Sequence, residues 1–492
     1  MSTEFNSTHT LQKEVPALSI SLLWYNRLEI FYQRTGVKQM KLTIKEIATL
    51  FQQEGDFPET EIHNVEFDSR KIEAGDLFVP LAGVRDGHEF IQAALDNGAV
   101  ATFWSQELEK VPEGLIPILV PDVLEAFQQL AVFYKNKIQP KVVAITGSNG
   151  KTTTKDMTAG VLSQQFVTYK TQGNYNNDIG MPYTILHMPA NCEMLVLEMG
   201  MDHAGELTVL SKLGQPDAAA ITIIGEAHIE NLGSRAGIAK AKMEIIAGEK
   251  VAGLLLVPAD EPLLQPLTKD ISQDVRTFGL GKGDITATVT DEQAEKTVFT
   301  IAGETFEIPV IGAYNVKNAL IAYGFGRYFG LEIPAIRQGL ANFSLTKNRT
   351  QWLDTPNQVR ILSDVYNANP TAMGLVLDSF GKLKTKGRKL AVLGDMLELG
   401  PDSKAMHRSM VDHITADYDV IFLYGQEMTA LFHALTEKEA DLTVYHFDKA
   451  NKAALIQMIK GELQPEDAIL LKASNGMGLA EVVSALMDGE KA

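Results

Sequence analysis

The sequence predicts an α/β protein of three domains, and two observations carry this prediction. The chain has 492 residues, of which 45% are hydrophobic, and this length exceeds what one hydrophobic core usually serves. Short apolar runs also alternate with helical stretches, a pattern typical of parallel sheets covered by helices. We therefore expect a small N-terminal α/β domain over 40–140, a central parallel-sheet domain with a phosphate-binding loop over 141–341, and a Rossmann-like C-terminal domain over 342–492.

Charge and cysteine content exclude several classes of partner. The formal net charge is -18, and the chain has one cysteine, Cys192. An acidic chain repels the phosphates of nucleic acids and the surface of anionic membranes, so we expect neither as a partner. A single cysteine forms no internal disulfide and suits the reducing cytoplasm. We expect a cytoplasmic monomer that meets anionic substrates through local positive sites.

Residues 1–39 stand apart from the predicted domains. Met40-Lys41-Leu42-Thr43-Ile44 resembles the start of a protein and leads into an amphipathic stretch. The most apolar run of the leader, residues 17–25, is too short to span a bilayer, and no basic segment precedes it as in a signal peptide. We expect no membrane insertion, and we treat 1–39 as an N-terminal extension without an assigned function.

The predicted N-terminal domain carries polar loops between its short elements. Ser69, Arg70, Arg85 and His88 lie in such loops and have the chemistry to hold a diphosphate or a sugar. Taken singly, each of them is more often a solvated loop residue. By itself this domain indicates little about function.

The central domain opens with a phosphate-binding motif. The apolar run Val142 to Ile145 leads into Thr146-Gly147-Ser148-Asn149-Gly150-Lys151-Thr152-Thr153. Glycines let backbone N–H groups face an anion, a lysine supplies charge, and the threonine hydroxyl can bind Mg²⁺. The loop is a shortened variant, because Ile145 occupies the position where the common pattern has a glycine. An ordinary strand-to-helix turn is the alternative, and the combined features favour a nucleoside triphosphate.

Polar clusters follow three other predicted strands of the central domain. They are the segment 171–182 with Asn176 and Asn177, then Glu198, and then the segment 225–234 with His228. Ligands of parallel sheets bind at the carboxyl ends of the strands, where Glu198 would suit a metal near the phosphates. An Asn-capped turn, a helix-capping acid and a structural histidine are the respective alternatives.

The chain then enters a long predicted helix and the third domain. The helix runs from Gly312 to Phe329 and carries Asn315 and Asn318 one turn apart, where amides can read a base edge or simply cap the helix. A hinge follows at 343–349. Beyond it, strands end in polar or glycine turns, but no GxGxxG follows the first strand, so NAD binding is not expected.

Taken together, these motifs resemble the Mur ligase family of peptidoglycan precursor synthesis, from Met40 to the C-terminus. The shared features are Thr146-Gly-Ser-Asn-Gly-Lys-Thr152, Glu198, His228, Lys242, the Asn315/Asn318 helix and Arg349. Three further segments are similar to those of the members that add D-alanyl-D-alanine to UDP-N-acetylmuramoyl-tripeptide. They are Asp364-Val-Tyr-Asn-Ala-Asn-Pro370, Gly394-Asp-Met-Leu-Glu-Leu-Gly400 and Gly173-Asn-Tyr-Asn-Asn177.

The resemblance implies an ATP-dependent acid–amino-acid ligase of the EC 6.3.2 type and assigns roles to residues. ATP would be held by Gly147, Ser148, Asn149, Gly150, Lys151, Thr152, Thr153, Asn318, Arg349 and Asp364. Two Mg²⁺ ions would be bound by Thr152, Glu198, His228 and a carbamylated Lys242. The catalytic set would be Lys151, His228 and Lys242, and the UDP-sugar peptide and the dipeptide would contact Ser69, Arg70, Asn176, Asn177, Asn367 and Asn369.

The implied reaction is stepwise. The tripeptide carboxylate attacks the γ-phosphate of ATP to give an acyl phosphate, which the dipeptide amine then attacks. His228 or a carboxylate would accept the amine proton, and closure of the third domain onto the second would complete the site.

Two residues depart from the family pattern. Tyr314 stands where histidine is frequent, and Asn475 stands where arginine is common. Neither belongs to the metal or phosphate set. The alternatives are a sibling ligase that adds a single amino acid such as lysine or diaminopimelate, a folylpolyglutamate synthase with the same ATP machinery, and a nucleotide-binding regulator without catalysis.

Overall fold

The computed structural model describes residues 40–346, 349–438 and 442–488. The predicted extension over 1–39 and residues 347–348 of the predicted hinge lie outside the described residues. Within the described ranges the chain forms three α/β units with largely parallel sheets, which confirms the predicted fold class. No helix in these ranges has both the length and the apolarity needed to cross a bilayer.

The N-terminal unit is a four-stranded parallel sheet with a two-stranded antiparallel ribbon beside it. A capping box begins its first helix, since Thr43 Oγ1 accepts a hydrogen bond from Glu46 N at 3.1 Å and the Glu46 carboxylate accepts one from Thr43 N at 2.9 Å. Its elements are β1 (Leu42–Thr43), α1 (Ile44–Leu50), β2 (Glu61–Ile62), β3 (Val65–Glu66), β4 (Leu77–Phe78), α2 (Ile91–Asp96), β5 (Ala101–Trp104), β6 (Ile116–Leu119) and α3 (Val123–Ile138).

The central unit is built on a nine-stranded sheet. Its elements are β7 (Lys141–Thr146), α4 (Lys151–Leu162), β8 (Thr168–Lys170), α5 (Gly180–Leu186), β9 (Met194–Glu198), α6 (Glu206–Gly214), β10 (Ala218–Ile221), α7 (Ile229–Leu232), α8 (Arg235–Met243), β11 (Leu254–Pro258), β12 (Asp274–Leu280), β13 (Ile285–Glu292), β14 (Thr297–Ile301), β15 (Glu304–Ile308), α9 (Ala313–Tyr328) and α10 (Ile333–Asn342). The strand order is β15-β14-β13-β12-β11-β10-β7-β9-β8, which puts β7 between β10 and β9.

The central sheet is not wholly parallel, which corrects the prediction. Strands β14 and β15 pair antiparallel at one edge. Their residues alternate between buried and more exposed positions, as in the sequence Thr297–Ile301. Such a period-two pattern marks strands with one solvated face and leaves no continuous apolar run to detect.

The third unit is a six-stranded sheet in the order β16-β17-β21-β18-β19-β20, with β16 as an antiparallel edge. Its elements are β16 (Gln351–Asp354), β17 (Arg360–Asp364), α11 (Pro370–Lys382), β18 (Lys389–Gly394), α12 (Ser403–Ser409), β19 (Val420–Tyr424), α13 (Thr429–Glu437), β20 (Thr443–Phe447), α14 (Lys452–Glu462), β21 (Ala468–Lys472) and α15 (Leu479–Met487). The last strand, β21, inserts between β17 and β18 and brings its carboxyl end next to that of β17.

The hydrophobic cores divide the molecule differently from the sheets. One continuous apolar cluster joins the N-terminal unit to one face of the central sheet, from Met40 to Leu264, and Tyr134 adds a hydrogen bond to Met188 O at 2.9 Å. The other face of the central sheet has its own cluster. The two faces of the third sheet are covered by clusters drawn almost wholly from the third unit. The third unit therefore meets the central one mainly through polar contacts.

Candidate active site

The phosphate loop connects β7 to α4, and two glycines fix its shape. Gly147 and Gly150 have φ of 151° and 80°, which is backbone conformation that residues with a Cβ rarely adopt. A Cβ would also lie 1.8 Å from Thr222 Oγ1 at Gly147 and 2.6 Å from Asn318 Oδ1 at Gly150. The loop is therefore packed against β10 and α9, with its backbone at the carboxyl edge of the sheet.

The side chains of the loop are engaged with neighbouring residues. Lys151 Nζ donates to Gly147 O at 2.8 Å, and burial lowers the pKa of this ammonium. Ser148 Oγ accepts a hydrogen bond from Gly225 N at 2.9 Å. Thr153 is buried in α4 and lines neither of the cavities described below. Ser148 lines the larger cavity although its hydroxyl is engaged with Gly225, whereas Thr153 has no exposed hydroxyl to contact ATP.

Glu198, the last residue of β9, is buried beside the loop. Its Oε1 accepts hydrogen bonds from Thr152 Oγ1 at 3.2 Å and from Asn176 Nδ2 at 2.9 Å. Its Oε2 is buried without a hydrogen-bond partner, and Lys155 Nζ lies 3.7 Å away. A carboxylate oxygen in this situation fits a cation. Among the described residues, however, no three His, Cys, Asp or Glu side chains group closely enough to form a ready-made metal site.

His228 faces both the central and the third unit. It has a left-handed backbone with φ of 60° at the start of α7. Its Nδ1 lies 2.6 Å from Glu398 Oε2 and 3.3 Å from Asp202 Oδ1, although neither carboxylate is aligned for a hydrogen bond with it. Burial lowers the pKa of the imidazole, against the opposing effect of the two carboxylates.

Lys242 is almost completely buried near the end of α8, at 2% exposure. Burial, followed by repulsion from Lys151, lowers the pKa of its ammonium well below the ordinary value. No carboxylate in the described ranges forms an ion pair with it within 4.0 Å. This environment favours the neutral amine.

A cavity of about 480 Å³ brings most of these residues together. It is lined by Gln128, Ser148, Asn149, Gly150, Lys151, Thr152, Asn174, Asn176, Asn177, Asp178, Glu198, Gly200, Met201, Asp202, Glu206, Val209, Leu210, His228, Arg349, Tyr366 and Asn367. All three units contribute to it, since Gln128 belongs to α3 of the N-terminal unit. The phosphate loop, the predicted metal ligands Glu198 and His228 and the asparagine segment thus share one space, whereas Lys242 lines neither cavity.

A second cavity of about 220 Å³ lies between the central and third units. It shares His228, Tyr366 and Asn367 with the first cavity. Its lining is Ala227, His228, Tyr366, Asn367, Ala368, Asn369, Leu397, Glu398, Ser474, Asn475 and Gly476. The segments around Asn367 and Glu398, together with the loop after β21, therefore form one wall beside the histidine.

The predicted adenine-side residues are close to the loop but partly occupied. Asn318 Nδ2 donates to Asn315 Oδ1 at 3.0 Å, and Asn315 Nδ2 donates to Ile311 O at 2.8 Å. Asn315 therefore has a structural role in this helix. The Arg349 guanidinium lies 3.9 Å from the centre of the Tyr366 ring and 3.3 Å from Thr152 Oγ1.

Two predicted substrate residues lie elsewhere. Ser69 and Arg70 form a 3₁₀ turn in the N-terminal unit and line neither cavity. The Arg70 side chain is 86% exposed and pairs with Asp68 at 2.8 Å. The structure does not bring them together with the other predicted residues.

Two lysines of this region, Lys155 and Lys472, were not predicted from the sequence to be site residues. Lys155 lies beside Glu198, as described above, and Lys472 Nζ donates to Asp364 Oδ2 at 2.5 Å and to Asn367 O at 2.9 Å. A lysine at the end of the apolar strand Ala468–Lys472 was the available signal, because a lysine carried into the interior by a buried strand is almost always paired. Asp364, the predicted ribose-binding acid, is thus already paired.

Three family descriptions match this chain. "Mur ligase family, catalytic domain" matches residues 61–135, "Mur ligase middle domain" matches 145–326, and "Mur ligase, glutamate ligase domain" matches 348–475. The fold, the phosphate loop and these matches define a ligase, and the chain belongs to the Mur ligase family. The predicted resemblance is confirmed.

One relative and two solved structures that are similar to this chain belong to one branch of the family. The chain is 42% identical to the UDP-N-acetylmuramoyl-tripeptide–D-alanyl-D-alanine ligase of Bacillus subtilis over 458 residues, which are 91% of this chain and 99% of the relative. It is similar to the crystal structure of MurF from Acinetobacter baumannii, with a TM-score of 0.82 and 29% identity over 92% of this chain and 100% of that one. A MurF ligase from Thermotoga maritima in complex with ADP has a TM-score of 0.75 and 26% identity, over 86% of this chain and 97% of that chain.

Proposed function

We propose that the chain joins D-alanyl-D-alanine to UDP-N-acetylmuramoyl-tripeptide at the expense of ATP, giving the pentapeptide, ADP and phosphate in peptidoglycan precursor synthesis. The observation that carries the proposal is the pair of adjoining cavities at the phosphate loop. The larger cavity has room and cations for a triphosphate and an anionic peptide end. The smaller one opens on the same histidine and is walled by the third unit.

In the first step an oxygen of the tripeptide carboxylate forms a bond to the γ-phosphorus, and the bond to the β-phosphate oxygen breaks. The products are ADP and an acyl phosphate. Lys151 and Arg349 are the cations of the larger cavity, and they offset the repulsion between the carboxylate and the triphosphate. In a site of low dielectric such compensation is worth several kcal/mol.

In the second step the dipeptide amine forms a bond to the acyl carbon, the bond from that carbon to the phosphate oxygen breaks, and the amine gives a proton to His228 or a carboxylate as phosphate leaves. The smaller cavity is the space for the dipeptide, since the polar side chains of Asn367 and Asn475 line it together with His228. Asn369 was predicted to contact this substrate, but its amide is bonded to Asn149 in the structure. We therefore assign the dipeptide contact to Asn367 rather than Asn369.

The residues present fit Mg²⁺. Thr152 Oγ1 and Glu198 Oε1 lie 3.2 Å apart, and Glu198 Oε2 has no hydrogen-bond partner. Bound Mg²⁺ would supply charge neutralisation at the transferred phosphate. Lys242 fits carbamylation, because a neutral buried amine reacts with CO₂ and the resulting carbamate offers the oxygen ligands that a second cation needs.

Other parts of the prediction stay predictions. They are the cytoplasmic location, the monomeric state and the domain boundaries at 140/141 and 341/342. His228 as a metal ligand is also untested. Its placement between Asp202 and Glu398 is compatible with that role.

The test is phosphate release from ATP with UDP-N-acetylmuramoyl-tripeptide as donor. D-alanyl-D-alanine should support release, and single amino acids such as lysine, diaminopimelate and glutamate should not. Release with single amino acids only would identify a sibling ligase and overturn the proposal. Phosphate release that is the same with and without any added amine would indicate a nucleotide-binding protein of another kind.

A further inference from the structure

The third unit touches the phosphate loop through a pair of asparagines. Asn149 of the loop donates from Nδ2 to Asn369 Oδ1 at 3.0 Å, and Asn369 donates from Nδ2 to Asn149 Oδ1 at 2.9 Å. The two amides thus bond reciprocally, with both donors and both acceptors facing each other. The two residues are 220 positions apart in the chain and belong to different units.

Asn369 is held rigidly on its own side of this contact. It is the N-cap of α11, where its Oδ1 also accepts a hydrogen bond from Ala372 N at 2.9 Å. It is 2% exposed. The start of the helix therefore fixes the orientation of the Asn369 amide. Asn149 can form both hydrogen bonds with this amide in one orientation only.

A second contact reinforces the same docking. Thr371 donates to Glu226 Oε2 from its backbone N at 3.1 Å and from its Oγ1 at 2.7 Å. Gly225 lies between the two contacts, where an added Cβ would lie 3.3 Å from Asn149 Nδ2 and from Thr371 Cβ. The start of α11 thus packs against the phosphate loop and against Gly225 and Glu226, which follow β10.

The contacts of α11 with the central unit, Asn149–Asn369 and Thr371–Glu226, are polar. The hydrophobic cores of the third unit, in contrast, consist almost wholly of residues from that unit. Among the described residues, the central unit adds only Ile311, Ile229 and Ala294 to these cores, so hydrogen bonds contribute strongly to how closely the third unit docks. Two neutral hydrogen bonds together shift such an equilibrium about tenfold.

We propose that Asn149 and Asn369 form an interdomain latch that couples the state of the phosphate loop to docking of the third unit. A phosphate held by the loop backbone fixes Asn149, because that residue lies between Ser148 and Gly150. The fixed amide then meets Asn369, and α11 brings Asn367 to the reaction space. Both asparagines are positioning residues. The inference rests on the proposed function only for ATP as the ligand of the loop.

Fluorescence energy transfer between the central and third units tests the latch. Val251 and Met458 are exposed, at 84% and 40%, so Val251→Cys and Met458→Cys accept dyes, whereas Cys192 is buried. The probe is AMP-PNP with Mg²⁺. Asn149→Ala removes the loop amide, and Asn369→Ser keeps a good N-cap but loses the amide. Asn342→Ala is the control, since that exposed amide bonds only within its own helix.

The nucleotide should close the parent chain and the control equally. Each latch variant should shift the closed-to-open ratio about tenfold toward open at saturating nucleotide. The midpoints of both thermal transitions without nucleotide should be unchanged, and the double variant should do no more than either single one. Equal closure in parent and variants, or effects that multiply in the double variant, would overturn the latch alone. A parent chain that binds no nucleotide would overturn the proposed function and the latch with it.

Discussion

At the scale of residues, three lysines at the phosphate loop stand out in a chain that is acidic as a whole. The chain carries a net charge of -18, yet its substrates are anions. Lys155 and Lys242 are buried beside the phosphate loop at 1% and 2% exposure, and Lys151 closes the loop. Burial lowers the pKa of all three ammonium groups. Lys151 and Lys155 thus bring cations to the place where anions bind, at the cost of desolvation, whereas the lowered pKa of Lys242 favours a neutral amine there.

Lys242→Ala should lower the rate of phosphate release more than about a hundredfold, because the variant lacks the group that a carbamate would occupy. Added acetate or propionate should restore part of the rate by filling the space with a free carboxylate. Lys240→Ala is the control, since Lys240 is exposed on the same helix. Full activity in Lys242→Ala would remove the carbamate from the proposal.

The buried carboxyl group of Glu249 should make the stability of the fold depend on pH. Neither of its buried carboxylate oxygens has a hydrogen-bond partner, and burial raises its pKa from 4.5 to about 8. A carboxyl group whose pKa is raised by folding stabilises the fold below pH 4.5, and this contribution is lost as the pH rises toward 8. Glu249→Gln should therefore raise the free energy of unfolding at pH 8, by on the order of 3 kcal/mol.

Denaturant titrations at pH 5 and pH 8 check this expectation. The parent should lose stability between the two values more steeply than Glu249→Gln. Glu113→Gln, which changes an exposed carboxylate, should follow the parent. A variant with the same pH dependence as the parent would show that Glu249 is ionised or solvated in the folded protein.

At the scale of elements, the ends of β17 and β21 form a joint that serves two subsites. The strands pair in parallel with Asp364 opposite Lys472, and the lysine also holds Asn367 O. One buried cation therefore fixes both the predicted ribose acid and the segment that walls the smaller cavity. Neither strand could supply this joint alone.

Lys472→Met should destabilise the protein by about 3 kcal/mol or more, since it leaves the partly buried Asp364 carboxylate without its cation. It should also raise the KM for ATP. The double variant Lys472→Met with Asp364→Asn removes both charges and should regain most of the stability but not the affinity. Thermal melts and initial rates measure the two effects. Equal stability of the single and double variants would contradict the pairing argument.

At the scale of the whole molecule, the sharing of cores predicts the units of unfolding. The N-terminal unit and the central sheet share one apolar cluster, while the clusters of the third unit are almost wholly separate. Cooperative unfolding follows continuous cores. The molecule should therefore behave as two cooperative units, although it has three domains.

Calorimetry should resolve two transitions, of which the smaller belongs to the third unit. AMP-PNP with Mg²⁺ should bring the transitions closer together, because nucleotide stabilises the docked arrangement. Limited proteolysis near 343–349 should release the third unit first. A single transition without nucleotide, or early release of the N-terminal unit, would contradict this division.

The sequence by itself determined the class of fold, the family and the phosphate loop. Local signals were enough for these, because apolar runs specify strands and glycines with a lysine specify an anion site within a few residues. Glu198 and His228 were also predictable, since strand ends in a parallel sheet converge at one edge. The antiparallel strands β14 and β15 were not predicted, because continuous apolar runs identify buried parallel strands, whereas these two strands alternate buried and more exposed residues.

Only the tertiary structure decided which side chains meet. It paired Asn149 with Asn369, seated Lys472 on Asp364 and left Arg70 in solvent beside Asp68. It also engaged Ser148 and Asn315 within the fold, so that amide and hydroxyl groups with the right chemistry are already bonded. The physical reason is that hydrogen bonds between residues far apart in the chain depend on strand order and domain docking, and no local pattern of residues encodes those.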